Sequence, residues 1–340
     1  MKKGVRVARV VFLGGLGRSG TTLLERILGE VPGVCALGEV VHLWQRDLRD
    51  NESCGCGLPF RDCEFWFEIG ERAFDGWSNV DVDAVLALRD RVERTRHIPT
   101  LAVPRLARSR VGEIRTYADY YARIYRAAAE VSGASVIVDS SKHSALAYCL
   151  RWSGVDLRVV HVVRDSRGVA YSWTKRVARP EAEMVPVSTR RPETMPEAPD
   201  EPMPTPDADE MTRYTPARSA MLWTAHNAAF GLLSHCGVAV KRIQYETLIS
   251  DPQPTITAIA AFAGIEVKPE SLHFLTEDGV KLGTCHSAAG NPMRFVTGDI
   301  PLRHDDAWVA ALPPNQRRLV GAITAPMLGA YGYRLSGRRS

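Results

Sequence analysis

A glycine-rich turn at residues 14–20 joins a short apolar run to a helical pattern. The run Val10 to Leu13 is β-branched and apolar, and four glycines follow within seven residues. Apolar residues then recur at helical spacing over 23–31, where Pro32 and Gly33 end the pattern. A strand, a glycine-rich turn and a helix in this order are typical of a phosphate-binding unit, because the turn aims backbone N–H groups at an anion.

Three further apolar runs predict strands at 136–138, 157–163 and 238–245. Each leads into a polar stretch and then a helical pattern. Strands that alternate with helices predict a mainly parallel sheet covered on both faces, with ligands at the carboxyl ends of the strands. We therefore expect an α/β fold of the P-loop type, a three-layer sandwich that forms a single domain over residues 1–340.

Composition limits the classes of function. The 340 residues are 45% hydrophobic with a net charge of +4, which argues against a membrane span. The basic excess is spread along the chain rather than interleaved with aromatic residues, so a small anionic ligand is expected and nucleic acid is not. The N-terminal apolar run has no cleavage site, and seven cysteines form no obvious disulfide framework, so we expect a cytoplasmic protein.

A segment at about 180–212 is rich in proline and acidic residues and has few large apolar side chains. Such a composition cannot build a packed core. It predicts an insertion that is mobile, either as a lid over a substrate or as a solvated loop without a role.

The glycine-rich loop has its own chemistry. Residues 15–22 match both glycines of the nucleoside-triphosphatase loop, but Thr21 stands where that pattern requires lysine. The cation here is Arg18, beside the backbone amide of Gly20 and the amides and hydroxyls of Ser19, Thr21 and Thr22. The loop therefore suits a 5′-phosphate held without a metal ion.

The sequence GRSGTTLL at residues 17–24 resembles the 5′-phosphosulfate loop of sulfotransferases that use 3′-phosphoadenosine 5′-phosphosulfate (PAPS). The sequence VVRDSRGVAYSW at residues 162–173 resembles the 3′-phosphate element of the same family. The resemblance implies that Arg164 and Ser172 bind that phosphate, whereas the simpler alternative is a surface ion pair between Arg164 and Asp165. The likeness extends in order over residues 8–180 and 215–333.

Within this superfamily, the chain is most similar in pattern to protein-tyrosine sulfotransferases and related bacterial enzymes. The segment LGEVPGVCALGE at residues 28–39 implies that Glu39 is the general base, with His42 as the second choice and a helix N-terminal carboxylate as the alternative. Lys142 is implied to lie near the bridging oxygen of the leaving group, unless it is an ordinary exposed lysine. Tyr245 is implied to contact the nucleotide, although a core tyrosine at a strand end is an alternative.

Weaker correspondences concern the C-terminal third of the chain. Ser287 falls near the serine that stabilises the transition state in the tyrosine enzymes. Arg294 and Arg303 are additional cations that either touch a phosphate or are solvated.

One departure from the tyrosine enzymes concerns the acceptor. Those enzymes follow their Gly-Glu with a glutamate and an arginine that grip acidic peptides, whereas this chain has Val40, Val41 and His42. We therefore expect sulfuryl transfer from PAPS to a hydroxyl of a small molecule, such as a natural product, sugar or lipid, with adenosine 3′,5′-bisphosphate as product. The rival functions are a P-loop kinase or ATPase and a catalytically inactive nucleotide-binding scaffold; the oligomeric state stays open.

Three cysteines lie close together in SCGCGLPFRDC at residues 53–63. A zinc site normally needs four ligands, so the fourth would be Cys35, His42 or a residue far along the chain. We interpret Cys54, Cys56 and Cys63 as free thiols in a glycine-rich turn, with a zinc site or a loop disulfide as alternatives. The reaction itself is expected to need no metal, and no metal site is assigned.

Overall fold

The computed structural model describes residues 9–177 and 212–335. Its central sheet has five parallel strands in the order β2-β3-β1-β4-β5. These strands are β1 (Arg9–Gly14), β2 (Val34–Ala36), β3 (Val136–Lys142), β4 (Asp156–Val163) and β5 (Ala239–Gln244). The predicted α/β class with a parallel sheet is confirmed. A two-stranded antiparallel sheet is formed by β6 (Gly279–Leu282) and β7 (Gly298–Pro301).

Helices cover both faces of the five-stranded sheet. They are α1 (Thr21–Gly29), α2 (Glu64–Phe74), α3 (Val82–Val92), α4 (Ile98–Ala102), α5 (Pro104–Ala107), α6 (Val111–Ser132), α7 (Ser144–Leu150), α8 (Ser166–Thr174), α9 (Pro216–Leu233), α10 (Tyr245–Ser250), α11 (Pro252–Ala263), α12 (Ala307–Ala311) and α13 (Pro314–Ala330). A 3₁₀ turn at Val40–His42 and a π-helical segment at Leu43–Arg49 follow β2.

The alternation of side chains along β1 explains the three layers. Val10 and Phe12 belong to one buried cluster, which also contains residues of α6, α7 and α9. Val11 and Leu13 belong to a second cluster, which contains residues of α1 and α11. All four side chains are buried, as expected for a strand that is covered on both faces.

The strand order explains where a ligand can bind. From β1 the chain crosses to β2 at one edge and returns through β3, whereas β4 and β5 extend the sheet on the other side of β1. The direction of winding therefore reverses beside β1. In a parallel sheet the crevice at the carboxyl ends of the strands next to such a reversal is the usual ligand site.

The strand predictions differ from the structure mainly in length. The second predicted strand extends beyond Val138 to Lys142, and the edge strand β2 is a three-residue strand that the apolar pattern does not reveal. The insertion predicted at about 180–212 lies outside the described residues except for Thr212, and the single domain over 1–340 stays a prediction.

Within the ranges 9–177 and 212–335, every helix is too short or too polar to traverse a lipid bilayer. The cytoplasmic location expected from the sequence stays a prediction.

Candidate active site

The loop between β1 and α1 presents the uncapped N-terminus of a helix. The left-handed Gly20 (φ 87°) immediately precedes α1, and the first turn of that helix has no side-chain cap and no acidic residue. A Cβ atom at Gly20 would lie 2.3 Å from Cδ2 of Tyr245, so only glycine fits between the helix and that ring. N–H groups at such a terminus can bind an anion, as the loop sequence predicts.

Arg18 lies inside this loop with a left-handed backbone (φ 73°). Its guanidinium carbon lies 5.3 Å from the centre of the Trp173 ring, and Nε1 of Trp173 donates to the carbonyl of Gly17 over 3.1 Å. Burial lowers the pKa of Arg18, and the charge of Glu39 opposes that effect in part. Trp173 on α8 therefore supports both the loop and its cation.

Glu39 and Lys142 form an ion pair at the carboxyl ends of two neighbouring strands. Glu39 follows β2, Lys142 ends β3, and Nζ of Lys142 donates a short hydrogen bond to Oε1 of Glu39. The second carboxylate oxygen, Oε2, lies 3.7 Å from Nε2 of His42. Burial raises the pKa of Glu39, but the charges of Lys142 and His42 outweigh it, so this pKa lies below its usual value. Glu39 is therefore an ionised carboxylate near neutral pH.

Lys142 reaches Glu39 because the end of β3 departs from regular pleating. The register between β1 and β3 shifts between Phe12 and Gly14, and Lys142 has a left-handed backbone (φ 65°). In a regular strand, alternation alone would set the direction of the Lys142 side chain. The left-handed turn changes that direction.

Arg164 follows β4 directly and is only 6% exposed. Its Nη1 donates to the carbonyl of Arg18 over 3.0 Å, and its Nη2 donates to Oδ2 of Asp305 over 2.8 Å. The ring of Tyr245 lies 4.7 Å from its guanidinium carbon. The surface ion pair with Asp165 that was the simpler alternative is wrong, because Asp165 pairs with Arg167.

These groups line one cavity of about 320 Å³. Its wall contains these residues predicted for the site: Arg18, Gly20, Thr21, Thr22, Glu39, His42, Lys142, Arg164, Ser172 and Tyr245. Ser19 is buried behind the wall, where its N–H donates to the carbonyl of Leu16 over 3.2 Å. Among the residues that the structure describes, the cavity thus combines several cations, one carboxylate and an uncapped helix N-terminus.

Two weaker predictions need correction. Ser287 does not line the cavity; its Oγ donates to the buried Glu25 over 2.6 Å. Arg294 is neither solvated nor available to a phosphate: it is 1% exposed, and its Nη1 donates to the carbonyl of Gly290 over 2.6 Å. Arg303 is exposed and outside the wall, in agreement with the solvated alternative.

Several wall residues are absent from the sequence prediction. Trp173 belongs to the segment that suggested Arg164 and Ser172, so the motif could have indicated it. His143 follows Lys142 directly, and its Nδ1 lies 3.1 Å from Oε1 of Glu93. Asn291 comes from the C-terminal third, where no motif marks it. The same is true of Asp305, which lies outside the wall and accepts from Arg164.

No protein-family model matches the chain, and no curated protein matches it. Among solved structures, the sulfotransferase domain of the Synechococcus olefin synthase is similar over 93% of this chain and 94% of that chain, with 19% identity and a TM-score of 0.46. The sulfotransferase domain from the curacin biosynthetic pathway is similar over 97% and 99%, with 15% identity and a TM-score of 0.47.

A sulfotransferase from Alicyclobacillus acidocaldarius is similar over 98% of this chain and 100% of that chain, with 15% identity and a TM-score of 0.39. All three structures are sulfotransferases, the family that the sequence motifs resemble. The fold assignment itself rests on the strand order and register described above.

Proposed function

We propose that this chain is a sulfotransferase that moves a sulfuryl group from PAPS to a hydroxyl of a small molecule and releases adenosine 3′,5′-bisphosphate. The observation that carries the proposal is the ion pair of Glu39 and Lys142 in the same cavity as the uncapped N-terminus of α1. This arrangement offers a base, a cation for a leaving group and a phosphate site side by side.

The phosphate side of the cavity supports a nucleotide with two separate phosphates. The amides of the α1 N-terminus, Arg18 and the hydroxyls of Thr21 and Thr22 suit the 5′ end. Arg164 leaves the neighbouring strand β4 and lines the cavity together with Ser172, which suits the 3′-phosphate.

The transfer needs a proton acceptor and stabilisation of developing charge. Glu39 would take the proton of the acceptor hydroxyl as its oxygen forms a bond to sulfur. The bond between sulfur and the bridging oxygen breaks, and its electron pair stays on the 5′-phosphate. Lys142, Arg18 and the loop amides would stabilise that negative charge, an effect that is large in a closed site.

Lys142 has to serve two groups in this scheme. Its ammonium group bonds to Oε1 of Glu39, and the leaving oxygen would compete for the same ammonium group. Movement of Lys142 toward the leaving oxygen would expose the carboxylate to the acceptor. We therefore expect the base to become available only once the donor has drawn Lys142 away.

The acceptor side of the cavity has mixed character. Apolar atoms of Leu222, Tyr214 and Met293 line the wall together with the imidazole of His143. Such a surface suits a small, partly apolar alcohol better than an acidic peptide.

The proposal predicts a selective response to nucleotides. In calorimetric titrations, adenosine 3′,5′-bisphosphate is expected to bind the wild type, and Arg164→Ala is expected to weaken that binding by about 10–100-fold, the loss typical of a charged hydrogen-bonding group. Arg158→Ala, at the opposite end of β4, is the matched control and should bind like the wild type.

The same titration with ATP and magnesium tests the rival function. A kinase or ATPase would bind ATP with magnesium in preference to the bisphosphate, and that result would contradict the proposal. An inactive scaffold would bind the bisphosphate but show no transfer to any acceptor, and its function would be unchanged by substitution of Glu39.

Asp305 is predicted to compete with the 3′-phosphate for Arg164. Its carboxylate already accepts from Nη2 of Arg164, and the pKa of Asp305 is below its usual value because this arginine outweighs the effect of burial. Asp305→Asn is therefore expected to tighten bisphosphate binding by up to about tenfold, with a weaker effect at high salt. Calorimetry at two salt concentrations measures both effects.

Asp306→Asn is the control, because it removes the same charge from the exposed neighbouring residue. If Asp305→Asn weakened binding instead, the carboxylate would be needed to orient Arg164, and the competition would be excluded.

A further inference from the structure

Three cysteines and one histidine converge outside the cavity described above. Sγ of Cys56 lies 3.8 Å from Sγ of Cys63, and Nδ1 of His286 lies 3.3 Å from Sγ of Cys63 and 3.9 Å from Sγ of Cys54. All four candidate ligand atoms lie within 4.8 Å of one another. The fourth candidate ligand is therefore His286, a residue far along the chain, and not Cys35 or His42.

These distances suit a tetrahedral metal ion. With zinc–sulfur bonds of about 2.3 Å and zinc–nitrogen bonds of about 2.0 Å, a regular tetrahedron has sulfur–sulfur edges of about 3.8 Å and sulfur–nitrogen edges of about 3.5 Å. A disulfide would instead require two sulfurs at about 2.05 Å. None of the seven cysteines is in a disulfide, so the loop disulfide that the spacing left open is not formed.

The surrounding residues hold the four ligands in place. The N–H of Gly55 donates to the carbonyl of Ser287 over 3.0 Å and joins the cysteine loop to the histidine segment. Nε1 of Trp66 donates to the carbonyl of His286 over 2.8 Å. The rings of Phe65 and His286 stack with centroids 4.9 Å apart and planes inclined by 24°. The backbone around His286 and the face of its ring are therefore held by contacts that involve no cysteine side chain.

We propose that Cys54, Cys56, Cys63 and His286 bind one structural Zn²⁺ ion. Three thiolates and an imidazole complete a four-coordinate shell, which leaves no open position for substrate and is typical of structural rather than catalytic zinc. The thiol protons would pass to solvent when the metal binds. This proposal does not depend on the proposed function, because no ligand belongs to the phosphate or acceptor sites.

The zinc ion would stabilise the wall behind the candidate base. The histidine segment continues to Ala288, whose carbonyl accepts from the N–H of Glu39 over 2.9 Å. A Cβ at Gly290 would lie 2.6 Å from Oε1 of Glu39. A metal that anchors His286 to the cysteine loop would therefore keep this backbone against Glu39.

The first test uses the wild-type chain of 340 residues. After purification without chelators, elemental analysis by mass spectrometry is expected to find about one zinc per chain. Exchange into cobalt is expected to give a thiolate-to-cobalt charge-transfer band and the intense visible bands of tetrahedral cobalt. A chain that holds no zinc after exposure to the metal, an octahedral cobalt spectrum, or a disulfide within this cluster detected by intact mass would each overturn the proposal.

Single substitutions then identify the ligands. Cys63→Ser and His286→Asn are each expected to lower zinc affinity by at least about a hundredfold, the share of one ligand in a four-ligand site. Cys236→Ser and His273→Asn make the same chemical changes away from the cluster and should retain zinc. Retention of wild-type zinc affinity in both ligand variants would contradict the assignment. If a variant fails to fold, the zinc content and cobalt spectrum of the wild type test the proposal instead.

Discussion

Replacement of Glu39 by glutamine is expected to lower kcat for sulfuryl transfer by about 10²–10⁴-fold, the usual contribution of a general base. Glutamine keeps the size of the side chain, and its amide oxygen can still accept from Lys142, so the cavity should keep its shape. Calorimetric affinity for adenosine 3′,5′-bisphosphate should not fall, because the substitution removes a negative charge that competes with the phosphate for Lys142. The measurement is transfer from labelled PAPS to an accepted alcohol, with thermal denaturation to verify folding.

His42→Gln tests the second candidate base, which lies 3.7 Å from the same carboxylate. The pH profile distinguishes the two candidate bases, Glu39 and His42. In the free enzyme, where Lys142 pairs with Glu39, the pKa of this carboxylate is below its usual value. Wild-type kcat/KM, which reports the free enzyme, should therefore persist as pH falls and be lost only when the carboxylate becomes protonated. A profile that falls near the usual imidazole value of about 6.5, together with an active Glu39→Gln enzyme, would assign the base to His42.

Replacement of Lys142 by alanine is expected to lower kcat by about 10²–10³-fold, the cost typical of removing one donor from a charge-stabilising site. The affinity for the bisphosphate product should fall much less, because Lys142 is assigned to charge that develops during transfer. Single-turnover kinetics with saturating PAPS measures the chemical step directly.

A second readout distinguishes this role from simple structural damage. Burial raises the pKa of Glu39 and the charge of Lys142 lowers it, so removal of the lysine should raise that pKa. The acidic limb of the pH profile is therefore expected at higher pH in Lys142→Ala than in the wild type. Lys281→Ala removes the same charge from an exposed position on β6 and should change neither kcat nor the limb. An unshifted limb in Lys142→Ala would show that the ion pair does not control the carboxylate.

The sequence allows prediction of features whose cause is local. The strand, glycine turn and helix around residues 10–31 follow from hydrophobic periodicity and from the need for positive φ at Gly20. The parallel sheet follows from the alternation of strands and helices. The carboxyl ends of the strands then form one edge, which explains why Lys142, Arg164 and Tyr245 share a cavity.

Contacts between distant segments could not be predicted in this way. The short strand β2 and the turn that brings Glu39 to Lys142 depend on pairing with β3 and on the carbonyl of Ala288. Arg294 resembles a surface cation in sequence, but the loop that it stabilises buries it. Asp305 and His286 have no neighbouring motif, so only the folded chain reveals their partners.

The left-handed backbones of Arg18 and Lys142 affect the stability of the fold. Each such conformation costs a non-glycine residue on the order of 1–3 kcal/mol, whereas the whole of a typical domain is stabilised by only about 5–15 kcal/mol. Glycine would adopt either backbone at little cost but would carry no charge into the cavity. The two strained backbones therefore lower the stability of the fold and hold two cations where the proposed donor would bind, and burial of the sheet beneath them has to offset that loss.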